Sequence, residues 1–99
     1  MPVDMVMPDG MTFLGLAALS NRPETAQLLI ARGADVNHVD SYGLTPLQIA
    51  ASTDFGDSQV IELLKKAGAK KDARDKQGST ALDLARKYRH SNLIASLEN

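Results

Sequence analysis

Apolar positions in this chain recur in short bursts separated by polar, glycine-bearing stretches, not as one long stripe. The burst DSYGLTPLQIAA, residues 40–51, sets the pattern. Asp40 suits the first position of a tight turn, and Gly43 supplies a positive-φ option. Thr45 is placed to cap a helix. Pro46 fits the first helical position, where its missing N–H costs nothing. Leu47, Ile49, Ala50 and Ala51 then form a short helix whose small residues admit close approach of another helix. A helix this short cannot bury enough surface alone, so it needs neighbours.

The chain supplies them as copies. MPDGMTFLGLAA (residues 7–18) precedes the central burst and DKQGSTALDLAR (residues 75–86) follows it. Gly10, Gly43 and Gly78 align, as do Thr12, Thr45 and Thr80, Leu14, Leu47 and Leu82, and Ala17, Ala50 and Ala85. The steps are 33 residues from Thr12 to Thr45 and 35 from Thr45 to Thr80. A second string also repeats, LLIARGADVN at residues 28–37 and LLKKAGAKKD at 63–72. It predicts second helices from Arg22 or Pro23 to Arg32 and from Ser58 to Ala67, with Gly33 and Gly68 as left-handed stops. Leu28 and Leu29 are expected to face the stack, as are Val60, Ile61, Leu63 and Leu64. A third second-helix spans residues 91–97. A period near 33 with turn–helix–turn–helix content is a solenoid signature.

At these residues the sequence resembles the ankyrin-repeat family, over about residues 7–97. The resemblance implies an all-α solenoid of helix–turn–helix pairs joined by β-turn fingers. It implies a single domain over residues 1–99, with repeats at about 7–39, 40–74 and 75–99. The first repeat departs most: Met7 stands where Asp40 and Asp75 stand, Phe13 replaces Pro46, and Gly15 falls where Gln48 falls. Met5, Val6 and Met7 are too apolar for an outer cap and are expected to fold back over the first helices. The first repeat is expected to open first. At the other end, Arg86 and Ser96 replace small and apolar residues, as the polar outer side of a C-terminal cap requires. Repeat 2 carries the two-residue insertion, in the loop around Phe55, whose ring is expected to tuck against its own repeat.

Family members bind other proteins through turn tips and inner helices, on a face made concave by the shorter inner helices. Carried over position by position, the implied contacts are Val39, Ser41, Tyr42, Leu44, Ser52 and Thr53 in repeat 2. Repeat 3 offers Arg74, Lys76, Gln77, Ser79, Arg86 and Lys87, and repeat 1 offers Met11 with Leu19 and Ser20. The residues themselves agree in part, because Tyr42 and Leu44 are large side chains in a turn that folding does not require to be large. The family's usual histidine after Thr-Pro-Leu is replaced by Gly15, Gln48 and Asp83. Gln48 is suited to part of that hydrogen-bonding role and Gly15 to none. Asn37, after Asp35 and Val36, resembles the site that family members offer to asparagine hydroxylases. Its plain role is to bond the turn backbone.

Composition narrows the function classes. There is no cysteine, which excludes disulfides, thiolate metal sites and cysteine nucleophiles. No segment approaches the ~20 apolar residues of a membrane span, and no signal-like stretch opens the chain. A soluble, cytoplasmic protein is expected. Residues 1–64 hold two basic and eight acidic side chains, a balance of −6, whereas residues 65–99 hold nine and four, a balance of +5. Because a solenoid keeps sequence order in space, this becomes a charge gradient, and its basic end suits a partner protein with an acidic flank.

Phosphate loops, HExxH, CxxC and GxSxG are all absent. His38 and His90 fall at opposite ends of the repeat plan, and Asp54 and Asp57 lack the ligand count of a calcium loop. The basic run is broken by Asp72, Asp75 and Asp83, and the pI of about 6.0 is far from a nucleic-acid footprint. The expectation is a monomeric, non-enzymatic protein-interaction module, with no cofactor, metal, nucleic acid or membrane. The alternative is a structural or self-associating protein, or a part of a longer array, that uses its apolar first repeat as an interface.

Overall fold

In the computed structural model of the chain, residues 5–53 and 58–98 are described. The calls on Phe55, Asp54 and Asp57 lie outside them. The described residues form helices α1 (Phe13–Leu19), α2 (Pro23–Ala31), α3 (Pro46–Ser52), α4 (Gln59–Lys66), α5 (Ala81–Lys87) and α6 (Ser91–Glu98). They pair as α1–α2, α3–α4 and α5–α6, and the pairs stack through α1–α3–α5 on one side and α2–α4–α6 on the other. This is the all-α solenoid that the repeat implies. The inner helices have 7 residues each and the outer ones 9, 8 and 8, so the inner side is the shorter.

Each inner helix starts the same way. Thr12, Thr45 and Thr80 are extended, and their hydroxyls accept the amides of Gly15, Gln48 and Asp83. Such a cap contributes about 1 kcal/mol. Gln48 and Asp83 also reach back to the amides of Thr45 and Thr80, completing capping boxes that Gly15 cannot make. Gly33 at φ +89° and Gly68 at φ +96° follow the first two outer helices.

Leu14, Leu47, Ile61 and Leu64 are fully buried, with Ala18, Ala26, Ala51 and Ala85 between the helices. Full burial of one such leucine contributes about 1.5–3 kcal/mol.

Several expectations need correction. Leu28 is 53% exposed instead of facing the stack. It lies on the first outer helix, beside which no earlier helix pair stands among the described residues, whereas the equivalent Leu63 is half-buried between α2 and α4. Leu16 is exposed for the same reason, at 41% against 3% for its equivalent Ile49. Ser96 is buried, not outer, and its hydroxyl donates to the Glu62 carboxylate. Of the apolar N-terminal segment, Met7 packs against the core, but Met5 and Val6 stay exposed.

Candidate protein-interaction groove

The groove is built from two turn fingers. In the finger after Val39, Asp40 Oδ1 accepts the amides of Tyr42 and Leu44 at 2.9 Å, and the Asp40 amide donates to the Leu44 carbonyl. The next finger copies this: Asp75 Oδ1 accepts from Gln77 and Ser79, and the Asp75 amide donates to the Ser79 carbonyl. An aspartate that satisfies two turn amides holds the tip rigid and leaves residues 41–42 and 76–77 pointing outward. Gly43, at φ +81°, lies against Lys76, and a Cβ there would sit 2.8 Å from the Lys76 side chain. In the first finger, Asp9 instead of Met7 plays the aspartate's part, accepting the Met11 amide.

Gln48 locks the second finger junction. Its Oε1 accepts the Thr45 amide at 2.8 Å, while its Nε2 donates to the carbonyls of Ala73 and Ser79 at 2.9 and 3.0 Å. The role expected of Gln48 is thus filled, by one buried side chain that ties α3 to the base of the next finger. Lys76 adds a tip-to-tip bond, its ammonium 2.7 Å from the Ser41 carbonyl.

Between these fingers and the helices behind them lies a groove of about 380 Å³. Ser41, Tyr42, Leu44 and Ser52 line one side, with Asp75, Lys76, Gln77, Leu84, Lys87 and Tyr88 completing it. Leu84 is buried at the floor, whereas Tyr42 and Tyr88 are 67% and 48% exposed. Tyr88 is held in place: its ring stacks on His90, centroids 5.9 Å apart, and His90 Nδ1 donates to the Ala51 carbonyl at 3.0 Å. The Lys87 ammonium lies 5.5 Å from the Tyr88 ring centroid.

The structure therefore brings together Ser41, Tyr42, Leu44, Ser52, Lys76, Gln77 and Lys87 from the expected contacts. Val39 is exposed beside its finger. Thr53 bonds the Ala50 carbonyl and faces the interior beside Ala18 and Val60, away from the groove. Ser79 is half-buried, its carbonyl taken by Gln48 and Asp75. Arg74 clasps its own finger at the Gly78 carbonyl, 2.7 Å away. Arg86 pairs with Glu98 on α6 at 3.1 Å. Met11 is corrected from a surface contact to a core residue: it is 8% exposed and fills the space over Gly15. Leu19 and Ser20 are exposed at the end of α1.

Leu84 and Tyr88 belong to the groove, but the sequence reading missed them. Their equivalents one repeat earlier, Ile49 and Thr53, lie outside the groove, so the repeat register carries no signal for them.

The remaining polar groups have structural uses. His38 Nε2 bonds the Gly10 carbonyl at 2.8 Å, and the Asn37 side chain spans from the Gly68 carbonyl to the Lys70 amide. The backbone hydrogen bond from Thr80, followed by the Thr80 hydroxyl, holds the Asp83 carboxyl below its usual value. The Ser96 hydroxyl does the same for Glu62, with Lys65 assisting against some desolvation. Among the described residues no cluster of acidic, histidine or cysteine side chains is arranged to hold a metal, and no helix is long and apolar enough to cross a membrane.

Comparison with known proteins agrees with this architecture. A family model described as "Ankyrin repeats (3 copies)" matches residues 14–98. The chain is 37% identical over 82 residues to protein phosphatase 1 regulatory subunit 27 of Mus musculus, covering 83% of this chain and 52% of that protein. It is 40% identical over 83 residues to ankyrin repeat and SAM domain-containing protein 6 of Rattus norvegicus, covering 83% of this chain and 9% of that protein. It is 38% identical over 90 residues to rabankyrin-5 of Mus musculus, covering 90% and 8%. The chain thus spans about half the length of the first of these relatives and under a tenth of the other two. With the fingers, the stacked helix pairs and the matched repeats all in agreement, the chain belongs to the ankyrin-repeat family.

Proposed function

We propose that the chain is a non-enzymatic protein-interaction module that binds a partner protein on its concave face, as an adaptor or inhibitor. The observation that carries this is the pair of exposed tyrosines, Tyr42 and Tyr88, over a leucine floor. Amphipathic aromatics that lose little rotamer freedom on contact are the side chains that dominate interface energetics. The family and the regulatory-subunit name borne by one relative support the reading. They favour it over self-association through the apolar first helix pair. The lysines on the groove's third-repeat side suit a partner with an acidic flank, and the chain acts as a cytoplasmic monomer.

The test is affinity. For a captured partner, Tyr42→Ala weakens binding by about 10-fold or more, the scale of an aromatic hot spot. Gln59→Ala on the outer face changes it less than about 2-fold. Equal affinities for Tyr42→Ala and the parent chain, with unfolding unchanged, remove the concave face from the account.

A further inference from the structure

The charges around the groove are not equally available. Asp75 is a lining residue, but its Oδ1 is occupied by two turn amides. Arg74 and Arg86 are committed to the Gly78 carbonyl and to Glu98. Lys76 reaches back to the Ser41 carbonyl. Lys87 remains: its ammonium has the Tyr88 ring beside it and no ion pair among the described residues. The groove therefore offers two cations around an aromatic-walled, leucine-floored trough: Lys76, tethered to a neutral carbonyl at the finger tip, and Lys87, untethered beside the Tyr88 ring. Its volume of about 380 Å³ lies at the lower end of the ~300–1,000 Å³ range of small-ligand sites, room for the few side chains of one short segment.

Taking the concave-face reading as its basis, the geometry points to a linear peptide segment as the occupant. The segment carries an aliphatic or aromatic side chain next to an aspartate or glutamate. The apolar side chain enters between Tyr42 and Tyr88 onto Leu84, and the carboxylate meets Lys87. Lys87 is the cation placed to swing onto the carboxylate, because Lys76 at the finger tip is held on the Ser41 carbonyl next to Asp75. The contact at Tyr88 is reinforced from behind by His90, so the aromatic wall is preformed.

Selection of a random linear peptide library on the full chain tests this. Winning peptides carry Asp or Glu within two residues of Leu, Ile, Phe or Tyr. Lys87→Glu weakens a winning peptide by about 10-fold or more, since removing one partner of an ion pair and adding repulsion costs upward of the 1.4 kcal/mol that a factor of ten represents. Reselection on Lys87→Glu replaces the acidic residue with Lys or Arg. Unfolding curves matching the parent chain show that the variant is folded. The inference is overturned if no peptide is selected, if winners lack the acidic residue, or if Lys87→Glu binds them unchanged. A partner protein whose affinity falls with Tyr42→Ala but is indifferent to Lys87→Glu sinks the peptide inference alone. Indifference to both substitutions sinks the concave-face reading as well.

Discussion

Two grooves of nearly equal size lie on opposite sides of the stack. The concave one holds about 380 Å³ between the fingers, and the outer one about 420 Å³ between α2 and α4. Their chemistry separates them. The outer groove is lined by Glu24, Gln27, Ser58, Gln59, Glu62 and Lys66, and its apolar surface comes from Pro23, Leu63 and the flexible methylene stems of those long side chains. Ordering such long polar side chains costs about 1.5–2 kcal/mol each, which offsets what contact returns. The concave groove also carries Lys76, Gln77 and Lys87, but it adds tyrosines, leucines and short hydroxyls on a frame braced by Asp40, Asp75 and Gln48. Volume alone does not mark a recognition surface. A rigid frame under aromatic side chains does, because its ordering cost was met when the chain folded.

The largest effect that can break this comparison is on the frame. Gln48→Ala leaves the buried Thr45 amide and the Ala73 carbonyl without partners, and it is expected to cost about 2–3 kcal/mol in denaturant unfolding. Gln59→Ala, on an exposed rim of the outer groove, stays within about 0.5 kcal/mol. Equal costs would mean that the finger junction is not specially braced. Next is the binding contrast between Tyr42→Ala and Gln59→Ala, about 10-fold against less than 2-fold. A partner hurt more by the outer change reverses the assignment of the two faces.

The smallest effect is a pH dependence that separates the two capping boxes. Asp83 has its carboxyl lowered from the usual 3.8 by the Thr80 backbone bond, so its contribution is present above that value and lost as the pH falls through the lower folded-state value. The Gln48 box carries no titrating group. Asp83→Asn is therefore expected to flatten the acid limb of the thermal unfolding profile below about pH 4, whereas Gln48→Ala lowers the whole profile and leaves the shape of that limb unchanged. Glu62, also lowered, titrates on the outer side and leaves a residual slope in both. An acid limb unchanged by Asp83→Asn would remove the box from the account of α5.

Much of the fold was legible because it rests on local signals. Threonine caps, turn glycines and the period of about 33 residues act within a few residues of themselves, and each recurs. The groove was legible only in part. Tyr42 and Lys87 could be read from their places in the repeat, but Tyr88 and Leu84 join them only through the stacking register, which places residues some forty positions apart on one wall. Met11 misled because its neighbour Gly15 leaves a void that only folding reveals. Arg86 pairs with Glu98, twelve residues on, at the surface and outside the groove lining, a partnership its place in the repeat does not show. Leu28 and Leu16 repeat the pattern of buried positions, yet belong to the first helix pair, beside which no earlier pair stands among the described residues.

The central claim is that recognition runs through the finger groove and not the outer one. Site-specific photocrosslinking reads this directly, with a photoreactive phenylalanine analogue at position 42, 88, 24 or 59 of the full chain and a captured partner. The account predicts partner adducts from positions 42 and 88 and none above background from 24 and 59. Adducts concentrated at 24 and 59 would contradict it.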